Sequence, residues 1–355
     1  MSLEDLRRKI DETDAKIARL LSGRIRIAEE IGKEKNKQGK QVEDSEREKV
    51  VLEKVRSIAQ EENISPESIE SIYRQIITVA KSVEGIVVAF QGEIGAYSEE
   101  AAFNFFGPSV KVEPCESMDD VFKVVEQGRV PFGIVPIENS LEGSISRVYD
   151  LLLNSNVKVC SEIELRVVHC LIANPGARVD LVRRVYSHPQ ALGQCQAFLK
   201  HLNCELISTY DTAGSVKMVK EMGIVDGAAI AGARAAAIYG MEIIANEIED
   251  KANNFTRFFI LSQHDSPPSG NDKTSIVFSV KHRAGALYEF LEKLAARNIN
   301  LTKLEARPTR QKPWDYNFYL DFEGHREDKA SQEALEYLEE TSLFVKVLGS
   351  YPKAK

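Results

Sequence analysis

The hydrophobic period of this chain changes twice, near residue 86 and near residue 272, and no single fold class accommodates all three patterns. Up to residue 84, apolar residues fall three and four apart. Leu3, Leu6, Ile10, Ile17, Leu20, Ile27 and Ile31 make one stripe on an α-helix. A helix over about residues 3–36 is roughly 50 Å long at 1.5 Å per residue. Asp44 and Ser45, with Glu48 three residues beyond Ser45, form the cap signal of a second helix through Ile58 and Ala59. Ser65-Pro66 opens a third, carrying Ile69, Ile72, Ile76, Val79 and Val83, and Gly85 ends it. Two shorter helices cannot cover so long a stripe, so an intertwined dimer is expected to supply the missing surface.

From Ile86 the runs are short and continuously apolar: IVVAF, FGIVPI, VVHCLIA, RRVYSH, CELIST, AAIA and RFFIL. Helical stretches separate most of them, which predicts an α/β domain over residues 86–263. The segment HDSPPSGND, residues 264–272, reads as a linker. Residues 273–355 then give strand (Ser275–Val280), helix (Leu287–Ala296), strand (Asn300–Ala306), strand (Tyr316–Phe322), helix (Ser331–Glu339) and strand (Val345–Tyr351). That order is the α+β, ferredoxin-like βαββαβ unit. The expectation is a multidomain chain with an all-α domain at 1–85.

Composition excludes several classes of function. A chain of 355 residues exceeds one ordinary core. Its 43% hydrophobic and 28% charged content belongs to a globular protein, and a net charge of -8 argues against nucleic acid as a partner. The N-terminal stretch MSLEDLRRKI lacks the apolar core of a signal peptide, and no apolar run is long enough for a bilayer, so no membrane partner is expected. The five cysteines are an odd number without a C-x-x-C pair, which suits neither a disulfide framework nor a metal site and favours the cytoplasm.

The first segment carries a cationic constellation. In the heptad register 3, 10, 17, 24, 31 the fourth position is Arg24, between Ile17 and Ile31. A lone arginine there could snorkel or pair with a carboxylate. Lys35 lies eleven residues on, on the same face and about 16 Å along the axis, a gap two long side chains close around a small anion. Arg7 is roughly 25 Å from Arg24, within reach only of a partner's site in an antiparallel dimer. Arg47, beside Glu48, completes a set suited to a dianion. With LRRKIDETDAKIARLLSGRIRIAEEIGKEK and VEDSEREKVVLEKV, residues 1–84 resemble the all-helical chorismate mutases. The resemblance implies that Arg7 of the other subunit, Arg24 and Arg47 bind the two carboxylates of chorismate. It places Lys35 and Glu84 at the ether oxygen, and Asp44 and Glu48 at the hydroxyl. Such a rearrangement needs a folded conformer and stabilised charge, not a nucleophile. Two positions depart from the family pattern: Ala80 replaces a usual serine, and Glu84 stands where some members carry glutamine.

In the second segment, polar loops follow strand ends and open helices: GAYSEEAA, ENSLEGS, SHPQALGQC and YDTAGSV. Free N–H groups there suit carboxylates, although Ser98, Ser187 and Asp211 each also read as ordinary helix caps. His188 before Pro189 reads as a helix-entry residue, with no second ligand at metal spacing. Gly92 and Gly95, with Glu113 about twenty residues on, lack the G-x-G core of a dinucleotide site. Neither cofactor nor metal is expected. Together GAYSEEAA, VPIENSLEGSI, SHPQALGQC and NNFTRFFIL resemble prephenate dehydratase. That resemblance implies two subdomains of the periplasmic-binding type with the site between them. Asn139, Ser140 and Gln190 would hold prephenate, with Arg257 on a carboxylate and Phe258 packing. The chemistry would depend on Thr256, with Glu138 a second acid candidate.

Residues 273–351 resemble an ACT regulatory domain, through GALYEFL and KLEARPTR…WDYNFYLDF. The resemblance implies a phenylalanine pocket formed by Gly285, Ala286 and Leu287 with Glu305, Ala306, Arg307 and Pro308 across a dimer interface. Ala306 replaces a usual serine, and Tyr288 a smaller aliphatic. Read from its residues alone, Gly285 starts a helix and Arg307 is a solvated edge. The whole chain then implies a bifunctional enzyme turning chorismate into phenylpyruvate through prephenate, a homodimer or higher oligomer with L-phenylalanine as effector. A mutase joined to prephenate dehydrogenase would need the missing dinucleotide fingerprint. A non-catalytic solute-binding module would call for an export signal or a DNA-binding helix pair.

Overall fold

The computed structural model describes residues 3–37, 45–62, 64–83, 86–108, 110–281, 283–309 and 315–354. The chain divides into two compact units, residues 1–88 with 102–112, and residues 89–101 with 113–355.

The three helices of the first unit fall where the periodicity puts them: α1 (Leu3–Lys37), α2 (Ser45–Glu61) and α3 (Pro66–Val83). Pro66 takes the first helical position, and the Ser65 hydroxyl accepts the Ser68 N–H at 3.2 Å, satisfying an amide that has no partner within the helix. Ala28, Val55 and Ala59 are buried. The α1 stripe is not: Leu20 is 73% and Ile27 60% exposed.

From residue 86 on, the chain forms two lobes and a third layer. The first lobe runs β1 (Val87–Gln91), α4 (Tyr97–Phe106), β2 (Lys111–Cys115), α5 (Met118–Glu126), β3 (Phe132–Asn139), β4 (Gly143–Ser144), α6 (Ser146–Asn154) and β5 (Lys158–Arg166). The chain crosses to the second lobe for β6 (Cys170–Ala173), β7 (Arg184–Ser187), α7 (Pro189–Gln194), α8 (Gln196–Leu199) and β8 (Glu205–Ser208), then α9 (Thr212–Glu221), β9 (Gly227–Ala231), α10 (Ala233–Tyr239) and β10 (Glu242–Ala245). It returns as β11 (Phe255–Ser262), which inserts antiparallel between β3 and β5. The sheets therefore run β2-β1-β3-β11-β5, with β4 on β3, and β10-β6-β9-β7-β8. Each has its own apolar core, around Phe90, Ile134, Ile137 and Phe258 in one lobe and Leu171, Val185 and Ile230 in the other.

The strands β2, β4, β5 and β10 fall outside the apolar runs expected from the sequence, and β6 covers only part of one. β5 was not among the apolar runs, because Glu162 and Glu164 interrupt it. Its Glu162 is nonetheless buried, and paired, as described below. VVHCLIA yields only the four residues of β6, because Val167 to His169 form the first crossing between lobes.

The third layer is β12 (Asp272–Ser279), α11 (Ala286–Ala296), β13 (Leu301–Pro308), β14 (Tyr316–Glu323), α12 (Lys329–Thr341) and β15 (Phe344–Pro352), an antiparallel sheet in the order β13-β14-β12-β15. Both helices cover one face through Phe278, Phe290, Leu294, Leu320 and Leu338. The other face lies on the first lobe, where Lys158 Nζ donates to the Val347 carbonyl at 2.8 Å and Phe259 meets Tyr351 edge to face. The expected linker is anchored as well: Ser266 donates from its N–H to Ser350 O and from its hydroxyl to Cys160 O. β15 comes so close to β5 that a Cβ on Gly349 would stand 2.0 Å from the Val159 carbonyl oxygen. Gly349→Ala is therefore expected to separate the two sheets and cost at least about 1–3 kcal/mol. Calorimetry reads this as a lowered midpoint, and an unchanged midpoint would show that the close approach is not needed.

Candidate active site

A cleft of ≈160 Å³ lies between the lobes, lined from one side by Gln91, Asn139, Thr256 and Phe258 and from the other by His188, Gln190, Gln194 and Asp211. One water occupies ≈30 Å³, so the space takes an organic molecule. α4 and α9 both start at the cleft, through Tyr97 and Ser98 and through Asp211 and Thr212. Helix starts aim free N–H groups outward and favour anions. The lining contains no lysine or arginine among the described residues. Its titratable groups are Tyr97, His169, His188 and Asp211.

Strand geometry explains why Thr256 reaches this cleft. Successive residues of β11 face opposite ways, so Thr256 and Phe258 share the cleft side. Asn139 lies opposite Thr256 in the β3–β11 register, and its Nδ2 donates to Thr256 Oγ1 at 3.0 Å. The Asn139 Oδ1 accepts the N–H groups of Leu141 and Glu142, which turns the loop after β3 away from the strand. Asn139 is thus held by the protein on both ends of its amide, a support for Thr256 as well as a cleft residue. Gln190 opens α7 beside His188, whose Nδ1 accepts the Gln190 N–H.

Sequence reasoning passed over several groups here. Tyr97, His169, Gln194 and Asn254 form a buried polar chain beside Thr256, yet His169 sits unannounced in an apolar run. Asp211 does cap α9, accepting the Gly214 N–H at 2.7 Å, but it also faces the cleft. Burial raises the pKa of its carboxyl; the Gly214 amide opposes that, and Glu93 adds to it. Ser98 lies inside α4, and the Ser187 hydroxyl donates to Ile230 O across the sheet, so neither is the cap its position in the sequence implied.

Three expected site residues lie elsewhere. Arg257 does not face the cleft; one residue from Thr256, it takes the other side of β11. There its guanidinium meets Asp321 at 2.9 Å, Glu138 at 3.1 Å and Glu162 at 3.3 Å. The expected contact with a substrate carboxylate is corrected accordingly. Glu138 is corrected with it: this carboxylate is committed to Arg257 and to Lys303 Nζ at 2.9 Å. Ser140 is exposed, and its hydroxyl joins the strands by donating to Asn253 O and accepting the Phe255 N–H.

Comparison with known proteins decides the family. Prephenate dehydratase matches residues 88–266, chorismate mutase type II residues 6–85, and the ACT domain residues 274–340. A bifunctional chorismate mutase/prephenate dehydratase of Aquifex aeolicus is 40% identical over 359 residues, covering 99% of this chain and 98% of that protein. The chain belongs to the bifunctional chorismate mutase/prephenate dehydratases. It is an enzyme with both domains. Arogenate dehydratase/prephenate dehydratase 2 of Arabidopsis thaliana is 42% identical over 84% of this chain and 80% of its own length. Among solved structures, prephenate dehydratase from Arthrobacter aurescens in complex with L-Phe superposes with a TM-score of 0.70 at 28% identity, over 75% of this chain and 90% of its own. A structure described as GqqA, a novel type of quorum quenching acylase, also superposes at 0.70, with 34% identity over 75% of this chain and 98% of its own.

In the mutase helices, Arg24 is half-buried and its Nη1 reaches the Ile76 carbonyl at 3.4 Å, while Arg7 is exposed. Lys35 lies on α1, and Arg47 and Glu48 on α2; their side chains, like that of Ala80, are outside the described set. Asp44 and Glu84 lie outside the described residues altogether.

In the ACT domain, Gly285 has a left-handed φ of 83°, which glycine adopts without strain, and it caps α11 ahead of Ala286 and Leu287. The stretch Glu305–Pro308 is divided by strand alternation. Glu305 and Arg307 face the dehydratase lobe, Glu305 with Ser144 and Lys303, Arg307 with the Ser146 carbonyl; Ala306 and Pro308 are exposed on the other side. Arg307 is thus no solvated edge residue.

The pairing of Arg257 leads to a direct test. Arg257→Leu leaves Glu138, Glu162 and Asp321 without the cation they share, at a cost of about 3–5 kcal/mol. The fall should appear in the thermal midpoint of the dehydratase and ACT portion. A midpoint within a degree of wild type would remove the network from any structural role.

Proposed function

We propose that the cleft binds prephenate with Asn139, Gln190 and the starts of α4 and α9 facing its carboxylates, and that the Thr256 hydroxyl donates to the departing ring hydroxyl. One observation carries this reading: Thr256 Oγ1 accepts from Asn139, so its own hydrogen is left for the cleft. The ring carboxylate leaves as CO₂, its bonding pair enters the ring, and the C4 hydroxyl departs with one proton as water. Aromatisation drives the step, and a donor at the leaving oxygen together with a dry pocket is what the protein must add. Phe258, on the same side of β11, packs against the ring. Asp211, a carboxyl that lines the cleft and whose pKa burial raises, is the candidate acid there, whereas Glu138 is committed to Arg257 and Lys303.

The mutase step is read as placing Arg7 of the second subunit, Arg24 and Arg47 on the carboxylates of chorismate, Lys35 and Glu84 at the ether oxygen, and Asp44 and Glu48 at the hydroxyl. The exposed α1 stripe supports a homodimer, which would bury it. L-Phenylalanine acts as effector through the ACT domain, with Gly285, Ala286, Leu287, Ala306 and Pro308 as its contacts. Domain limits of 1–85, 86–263 and 273–355 and cytoplasmic residence complete the reading; an odd number of cysteines without a C-x-x-C pair supports the latter.

Purified enzyme given chorismate alone should release phenylpyruvate, less of it with added phenylalanine. Accumulation of prephenate alone would sink the dehydratase half. Arg24→Ala should abolish the first step and spare turnover of supplied prephenate. Thr256→Val is expected to lower kcat on prephenate by ~10²–10⁴, the usual contribution of a positioned proton donor. Because Glu84 donates to the ether oxygen only when protonated, mutase turnover should fall as pH rises, and a flat profile counts against that role.

A further inference from the structure

The polar chain beside Thr256 has a direction, and the direction is dictated by two backbone amides. Leu141 N–H and Glu142 N–H can only donate, so the Asn139 end they meet at 3.0 and 3.1 Å is its oxygen. The Asn139 amide nitrogen then faces Thr256 Oγ1 at 3.0 Å and Asn254 at 2.8 Å, so the Asn254 atom there is its oxygen. Asn254 Nδ2 in turn donates to Gln194 Oε1 at 2.9 Å. The same oxygen lies 2.9 Å from His169 Nε2. A carbonyl oxygen only accepts, so Nε2 must carry a hydrogen. On the far side of the ring, the Tyr97 hydroxyl lies 2.9 Å from Nδ1 and donates to Val168 O at 2.7 Å. Whichever way that hydroxyl turns, the requirement at Nε2 stands. His169, Gln194, Asn254, Asn139 and Thr256 are all at least nine-tenths buried, so water does not substitute for a missing link.

We infer that His169 is a positioning residue of the dehydratase, anchoring through Gln194, Asn254 and Asn139 the one orientation of amides that leaves the Thr256 hydroxyl as a donor toward substrate. The chain lies where the polypeptide crosses between lobes: Val167 N–H donates to Asn254 O at 2.8 Å and Ile248 N–H to His169 O at 3.0 Å. The crossing segments thereby hold both ends of the chain, and the backbone after β3 fixes its polarity. The inference rests on the role given to Thr256 above.

Amide-to-acid replacement tests polarity at constant shape. Asn139→Asp keeps both loop N–H bonds but cannot donate, so the Thr256 hydroxyl turns to it and away from the cleft. A fall in kcat of ~100-fold or more is expected, with a rise in KM from the added charge facing the substrate's carboxylates. Asn254→Asp cannot donate to Gln194 and should lower kcat ~10-fold or more, with KM little changed. Glutamine in place of His169 presents an amide nitrogen near the Nε2 position, so His169→Gln should retain kcat to within about threefold, whereas His169→Leu should lose ~10-fold or more. If the leucine variant does not fold, His169→Asn, which reaches only the Nδ1 position, takes its place. Nitrogen-15 NMR of the intact enzyme should show one slowly exchanging histidine Nε2 proton that disappears in the leucine or asparagine variant. Wild-type kcat in Asn139→Asp, or equal kcat in the glutamine and leucine (or asparagine) variants, overturns the inference while Thr256→Val remains inactive. Full turnover in Thr256→Val overturns this inference and the reading beneath it.

Discussion

A guanidinium buried between two sheets needs anions, and Arg257 draws its partners from three strands at once. Glu138 comes from β3, Glu162 from β5 and Asp321 from the ACT sheet. Those carboxylates would be as costly as the arginine if left alone, and Lys273 on Glu162 and Lys303 on Glu138 balance them. Three cations thus face three anions, five of the six groups less than 12% exposed and Glu138 the most open at 35%. Burial works against the arginine's charge, and Asp321, Tyr351 and Glu162 more than reverse that, holding the guanidinium firmly protonated. Such a network adds little net stability compared with an apolar interface, but it tolerates only one alignment of its partners. Its consequence is register: the ACT sheet can sit on the dehydratase lobe one way, with β15 against β5 where only Gly349 fits.

The same strand shows how far the sequence could be read. NNFTRFFIL carries the cleft residue and the buried cation side by side, and the period of a strand already places them on opposite faces. Assigning both to one substrate overlooked that alternation. The helices of the first unit were legible to within a residue or two, because α1 repeats its stripe over about eight turns and α3 opens on Ser65-Pro66. β5 was not, since a strand whose buried face carries Glu162 has no apolar signature, and its partners Arg257 and Lys273 lie 95 and 111 residues away. His169 was hidden for the converse reason. VVHCLIA looks like plain core, and only the fold brings Gln194, 25 residues on, to its ring. Asp211 was read correctly as a cap; that a cap can also face a cleft is a matter of lobe packing.

The first unit poses a different physical problem. Its helices bury small residues, Ala28, Val55 and Ala59, while Leu6, Ile10, Ile17, Leu20, Ile27 and Ile31 stay exposed along one face of α1. At about 25 cal/mol per Å² an isolated helix trio cannot draw stability from a stripe it leaves in water. Only a surface running the length of α1 can cover it, and a second α1 has that length and that period. Arg24, set into the stripe, has found a backbone carbonyl of α3 in place of a carboxylate, which leaves most of its donors uncommitted among the described contacts. A cation in an apolar seam is costly unless an anion balances it.

The two faces of β11 connect the ACT sheet to the Thr256 hydroxyl without any intervening element. A shift of the ACT sheet pulls on Asp321, hence on Arg257, whose neighbour in the chain is Thr256. From the other side, the crossing segments at Val167–His169 and at Ile248–Asn254 hold the amide chain beside the Thr256 hydroxyl. Any relative movement of the lobes bends those crossings first. An effector that favoured one arrangement of the ACT sheet would act on Asp321 and Arg257, and so next to Thr256 in the chain, without entering the cleft. The coupling an effector could exert is bounded by its differential affinity for the two arrangements. A rigid ion network passes on that difference, where a flexible linker would dissipate it. In this chain the segment between the domains is itself tied down at Ser266, so the network and the strand share the load.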